Sequence, residues 1–134
     1  MSDKVIVMAI KPKYARAIFE GRKNWEFRKT PPPCGRPIYV YESAPVGKIT
    51  GMIVLGLSVR GEALAVWEIV LTNTCFTQNL TGIRSTEMFE YAGGEPVSAL
   101  RVIAASEFAI PVALDGRPPQ NWGRYSRHAI GFVS

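Results

Sequence analysis

Between Gly21 and the Pro31-Pro32-Pro33 run, the segment Asn24-Trp25-Glu26-Phe27-Arg28-Lys29 alternates large aromatic side chains with polar or charged ones. Successive side chains of a strand point to opposite faces. The pattern therefore predicts a strand that buries Trp25 and Phe27 and projects Asn24, Glu26 and Arg28 together from the other side. Three consecutive prolines cannot continue a paired strand, so the segment is short and a surface connection follows it. The chain must fold around a brief, two-faced strand that carries charge on one face.

The neighbouring segments carry their own signals. Val5 to Ile10 is apolar and β-branched, long enough for a buried strand, and Lys11-Pro12 ends it. Pro12 suits the first turn of a helix, where its missing N–H costs nothing; Tyr14, Ala17 and Ile18 recur at helical spacing and Gly21 supplies a stop. These signals predict a helix over roughly residues 12–20. Further strands are expected from Pro37 to Ser43, Ile49 to Val59, Leu100 to Ala105, Phe108 to Leu114 and Ile130 to Val133. Gly61 to Leu71 reads as a helix burying Leu64, Trp67 and Leu71. Ser85 reads as the N-cap of another, stopped by Gly93-Gly94. Six or seven short strands against two or three helices predict an α+β domain whose sheet curls around a core. Regular βαβ alternation is missing, and no glycine-rich loop leads from a strand into a helix as nucleotide folds require.

The 134 residues fit one domain, residues 1–134, and 47% apolar with 20% charged residues is ordinary for a globular chain. The apolar runs are short, as at Met52 to Leu57, and none approaches the ~20 residues that cross a bilayer. The N-terminus carries no secretory pattern, so a cytoplasmic protein without a membrane span is expected, and Asn79-Leu80-Thr81 is a coincidental glycosylation match. Cys34 and Cys75 are isolated and His128 stands alone, so neither metal nor cofactor is expected; reduced thiols are the reading, with a disulfide left open. Nothing in the composition sets an oligomeric state.

The net charge of +5 is unevenly placed. Lys11 to Arg36 holds eight Lys/Arg against two Glu, whereas Pro37 to Leu114 holds four against seven. A basic end on a mildly acidic body concentrates phosphate-bearing partners and guides their approach.

Within that basic end, Gly21, Lys23, Glu26 and Arg28 fall inside eight residues. The guanidinium of Arg28 offers a planar fork for phosphate or a base edge, and Glu26 can accept from an exocyclic amine. Simple alternation would put Lys23 on the Trp25 face; it joins Glu26 only if the strand begins after it or bulges there. Desolvated beside Arg28, Lys23 would lose proton affinity and could act as a general base; paired with Glu26, it would stay protonated. An exposed strand with a surface Glu–Arg pair would show the same residues.

Gly21-Arg22-Lys23-Asn24-Trp25-Glu26-Phe27-Arg28 resembles the G-x-K-x-x-E-x-R signature of the ASCH family, placed after an opening strand and helix as in that family. Ile10-Lys11-Pro12-Lys13-Tyr14-Ala15, Val40-Tyr41-Glu42-Ser43-Ala44-Pro45 and Pro118-Pro119-Gln120-Asn121-Trp122 extend the resemblance along most of the chain. It implies a PUA-like fold, a curled sheet or pseudo-barrel of about six strands flanked by two or three helices, with the signature lining a cleft. It also implies association with RNA. Some members are enzymes: one bacterial branch hydrolyses the acetyl amide of acetylated cytidine with a lysine, a threonine three residues later and a distant glutamate, and another is linked to RNA cleavage. Lys23 matches that lysine, but Glu26 stands where the threonine would be. A carboxylate attacking an amide would give a mixed anhydride, so the resemblance carries over the cleft and not the activity.

The expected function is binding of RNA or a modified nucleoside through Lys11, Arg22, Lys23, Glu26, Arg28, Tyr41, Ser43, Gln120 and Tyr125. Tyr41 and Ser43 face the cleft by resemblance. Gln120 and Asn121 follow two prolines with amides fit to read a base edge, and Trp122 or Tyr125 offers a stacking surface. The alternative is a hydrolase acting on an acylated cytidine-type nucleoside or an RNA phosphodiester, with Lys23 and Glu26 in acid/base roles. A protein-interaction role, as in transcription coactivators, is a third reading.

Overall fold

The computed structural model describes residues 4–72 and 81–132. Cys75, Asn79, Leu80 and Val133 lie outside them, and with them the second thiol, most of the glycosylation match and the end of the last expected strand.

Strand β1 (Lys4–Ile10) leads into helix α1 (Pro12–Phe19), then β2 (Trp25–Arg28), β3 (Pro37–Glu42) and β4 (Lys48–Gly61). Helices α2 (Ala63–Thr72) and α3 (Ser85–Ala92) precede β5 (Val97–Leu114), β6 (Trp122–Ser126), a single 3-10 turn at Arg127–Ala129 and β7 (Ile130–Gly131). Six strands run in the order β2-β5-β4-β3-β1-β6, with β7 paired to β5 off this path. Among the described residues the result is a mixed sheet curled into a half-barrel with three helices, the PUA-like architecture.

The curl has a local cause. β4 and β5 pair antiparallel from Ile49↔Val112 to Gly61↔Val97, and their register shifts at Ile49/Gly51, Val54/Leu55 and Gly56/Ser58. Each irregularity bends a strand and increases its twist, so two long strands wrap instead of lying flat. The two separate strands expected from Leu100 to Leu114 are one strand. Ser106 and Glu107, which look like a break, pair with Met52 and Gly51 and leave their polar side chains exposed.

Among the described residues, three apolar clusters fill the fold. Ile6, Met8, Ile10, Ile38, Val40 and Leu55 pack under Ala15 and Ile18 of α1. Trp25, Phe27, Val97 and Ala99 pack under α2 and α3. Val7, Ile49, Val112 and Ile130 form the third, with Tyr39, Tyr41 and Tyr125 against them. Arg16 fastens α1 to the sheet by reaching the buried Glu42 at 2.6 Å and also Glu107.

Two helix details differ from the sequence reading. α2 buries Val66 and Val70, while Leu64 and Leu71 are about half exposed and Trp67 is half-buried. With Glu68 as its one charged residue, the helix has no polar face to fix its rotation, and packing against α3, β4 and β5 decides the phase. The N-cap of α3 is Arg84 and not Ser85, and no side chain caps it; Gly93 closes the helix in the left-handed conformation, φ 58°. Among the described residues no helix is long and apolar enough to cross a membrane.

Candidate functional site

β2 and β6 are the two edges of the curled sheet, and side chains instead of a strand ladder close the seam between them. From β2, Arg28 donates to the carbonyl of Ala9 on β1 at 2.9 Å and to Asn121 Oδ1 at 2.7 Å, one residue before β6. Asn121 Nδ2 and the Trp122 indole both donate to the carbonyl of Thr30, at 3.1 and 3.2 Å. Asn121, expected to read a ligand, thus works as part of this latch.

Glu26 anchors the latch from below. Its Oε2 accepts from Arg28 Nε at 3.0 Å and Nη2 at 2.7 Å, and its Oε1 lies 3.2 Å from Lys23 Nζ. Lys23 reaches this face because β2 begins only at Trp25; the chain leaves α1 through a turn in which the N–H groups of Arg22 and Lys23 both donate to the Ala17 carbonyl. Beyond Glu26, Lys23 Nζ donates to the carbonyls of Trp25 and Thr81, the latter at 3.2 Å. Three acceptors match the three N–H bonds of an ammonium and leave no place for an amine lone pair. Gly82 presses on the lysine stem: a Cβ there would come within 2.6 Å of Lys23 Cβ, Cγ and Cδ.

Side-chain exposures of 2% for Lys23, 6% for Glu26 and 13% for Arg28 set the electrostatics. Burial pulls the Lys23 ammonium below the ordinary lysine range and Arg28 pushes the same way, with Glu26 opposing both. Burial alone would raise the Glu26 carboxyl; the charges of Arg28 and Lys23 and their hydrogen bonds outweigh it and hold the group below the usual carboxylate range. Glu26 is therefore ionised at neutral pH.

Above this floor opens a cavity of about 750 Å³. That is ample for a nucleotide-sized ligand, since small-molecule sites run from about 300 to 1,000 Å³. Ala9, Ile10, Phe27 and Ile83 give it apolar surface, and its charged lining comes from Lys11, Lys13, Lys23 and Arg28 together with Glu26, Glu87 and Glu90. The lining is mixed in charge, with Glu87 and Glu90 added to the Glu26 that the sequence already places in the basic cleft. Tyr14 donates to Glu87 Oε2 at 2.7 Å, and Lys13 lies 3.4 Å from the same oxygen.

Of the residues singled out from sequence, Lys11, Lys23, Glu26, Arg28, Ser43 and Gln120 line this cavity together. The others do not. Arg22 is exposed and bonds Glu20 at 2.9 Å. Tyr41 and Tyr125 pack in the third cluster on the other face of β1, where the Tyr125 hydroxyl donates to the Arg117 carbonyl at 2.7 Å. Tyr14, Glu87, Glu90 and Tyr91 were missed. The last three share one face of α3 at positions i, i+3 and i+4, a spacing the sequence displays.

Residues 8–91 match the model of the ASCH domain family. A protein from Zymomonas mobilis named "ASCH domain-containing ribonuclease" is 24% identical over 125 residues, which cover 88% of this chain and 82% of that protein. The crystal structure of ASCH from the same organism superposes with a TM-score of 0.78 at 22% identity, covering 96% of this chain and 92% of its own. That of a mutant of the protein gives 0.72 at 23%, over 88% and 85%. With the signature residues assembled on one cavity floor in the same fold, the chain belongs to the ASCH domain family.

Proposed function

We propose that the chain binds RNA, with one nucleotide, standard or modified, seated in the seam cavity. The observation that carries this reading is the division of labour inside the cavity. Lys23, Glu26 and Arg28 spend most of their hydrogen bonds on one another and on the backbone, whereas Lys11, Ser43 and Gln120 present side chains that engage no other described residue. A ligand meets Lys11, Ser43 and Gln120 first: the lysine for phosphate, the hydroxyl and amide for sugar or base edge. The buried groups shape the floor and fix its field. A relative named as a ribonuclease supports RNA as the partner. The reading treats residues 1–134 as one such domain acting in the cytoplasm.

Fluorescence anisotropy with short labelled single-stranded RNA tests it. Binding is expected to weaken steeply as salt rises, and Lys11→Ala to lower both the affinity and the slope, by roughly 0.7 in log–log terms for one lost phosphate contact. Undetectable binding at low salt, or a Lys11→Ala variant identical to wild type, refutes the proposal.

The same relative favours a second reading, cleavage of an RNA phosphodiester. Held by three acceptors, Lys23 suits charge stabilisation or proton donation better than the role of base, and Glu26 is engaged through both oxygens. Mass analysis of labelled RNA after incubation decides: shortened products that vanish in Lys23→Ala establish the enzyme, and intact RNA leaves the binding module.

A further inference from the structure

The reading of the cavity as an RNA site leaves one wall unassigned, the exposed face of α3. Met88 and Ala92 anchor the helix in the second cluster, which turns Glu87, Glu90 and Tyr91 toward the cavity. Glu87 is occupied by Tyr14 and Lys13. Tyr91 is fixed by its hydroxyl, which accepts from the Lys29 N–H at 2.9 Å, and Lys29 Nζ stands 5.2 Å from its ring centre. Glu90 alone among the three cavity carboxylates engages no described residue.

From this we infer that Glu90, beside the anchored Tyr91 ring, selects a base carrying an exocyclic amine, such as cytosine or adenine, over uracil. A carboxylate accepts the N–H bonds of such an amine and repels the carbonyl oxygen that uracil presents in its place. An aromatic ring held by its hydroxyl gives a base a surface to stack on without an ordering cost at each encounter. A carboxylate at the mouth of a phosphate-binding cavity otherwise weakens every RNA equally, so its presence there is explained by base selection and not by affinity.

Cytosine and uracil share a ring and differ chiefly at this one substituent and the adjacent ring nitrogen, so oligocytidylate and oligouridylate of equal length are the probes. Wild type is expected to bind the first about tenfold more tightly at neutral pH, and Glu90→Gln to bring the ratio within about twofold. Glu68→Gln on helix α2, outside the cavity lining, removes a like charge and is expected to leave the ratio intact. The ratio separates the two roles, because a purely electrostatic Glu90 moves both affinities together. A wild-type ratio near one, or a preference that survives in both Glu90→Gln and Glu90→Ala, overturns the inference while RNA binding stands. Failure of wild type to bind either oligomer overturns the RNA reading and this inference with it.

Discussion

Arg28→Ala tests whether the signature arginine holds the half-barrel closed. Arg28 makes two hydrogen bonds to the buried Glu26, one to the Ala9 carbonyl and one to Asn121. Removing one partner of a buried ion pair costs about 3–5 kcal/mol, chiefly because the other charge is left without compensation. Here Lys23 remains 3.2 Å from Glu26, which places the loss near the lower end, about 3 kcal/mol. A chain of 134 residues unfolds with an entropy of about 0.28 kcal/mol/K near 60 °C, so Tm should fall by about 10 °C. Calorimetry on Arg28→Ala, Asn121→Ala and the double variant reads both the loss and the coupling. If the latch spans the seam, the two single losses are non-additive by at least about 0.5 kcal/mol. A drop under about 3 °C with additive variants would show the sheet edges to be held by packing alone, and the closure argument would fail.

The acid limb of stability reports on Glu26. Its folded pKa is depressed, so its contribution is fully present above the unfolded value near 4.3 and is lost as pH falls through the lower folded value. Urea midpoints below about pH 4 should therefore fall more steeply with acid for wild type than for Glu26→Gln; equal slopes would contradict the ionised pairing. Lys23 carries the opposite history: its folded pKa lies below the unfolded one, so its burial opposes folding at neutral pH and the cost fades only as pH rises through the folded value. Gly51→Ala probes the curl. A Cβ there would come within 2.5 Å of both the Phe19 ring and the Ser106 carbonyl, and the carbonyl belongs to the facing strand, so a loss of about 1–3 kcal/mol is expected in urea unfolding. An unchanged midpoint would mean that β4 and β5 can part there without cost.

What could be read from the sequence follows from how local each determinant is. The strand at Trp25–Arg28 was legible because its alternation, the glycine before it and the prolines after it all act within a few residues. The shared face of Glu26 and Arg28 came with it. The phase of α2 was not legible, because nine of its ten residues are uncharged and only neighbouring elements choose which of them is buried. β6 escaped notice because Gly123 is a poor strand former inside a short polar segment, and its pairing with β1 supplies the order. The roles of Asn121, Tyr14 and Glu87 were hidden for a deeper reason. Each depends on a partner more than seventy residues away, at separations of 93 for Arg28–Asn121 and 73 for Tyr14–Glu87. The signature motif therefore names the floor of the site but not its walls. Lys23, Glu26 and Arg28 satisfy one another and fasten the sheet edges, so a change at any of them is expected to alter stability along with any binding in the cavity above them. Among the described residues that line the cavity, Lys11, Ser43, Gln120 and Glu90 are left unengaged, so on the proposed reading a change there shifts recognition without loosening the fold.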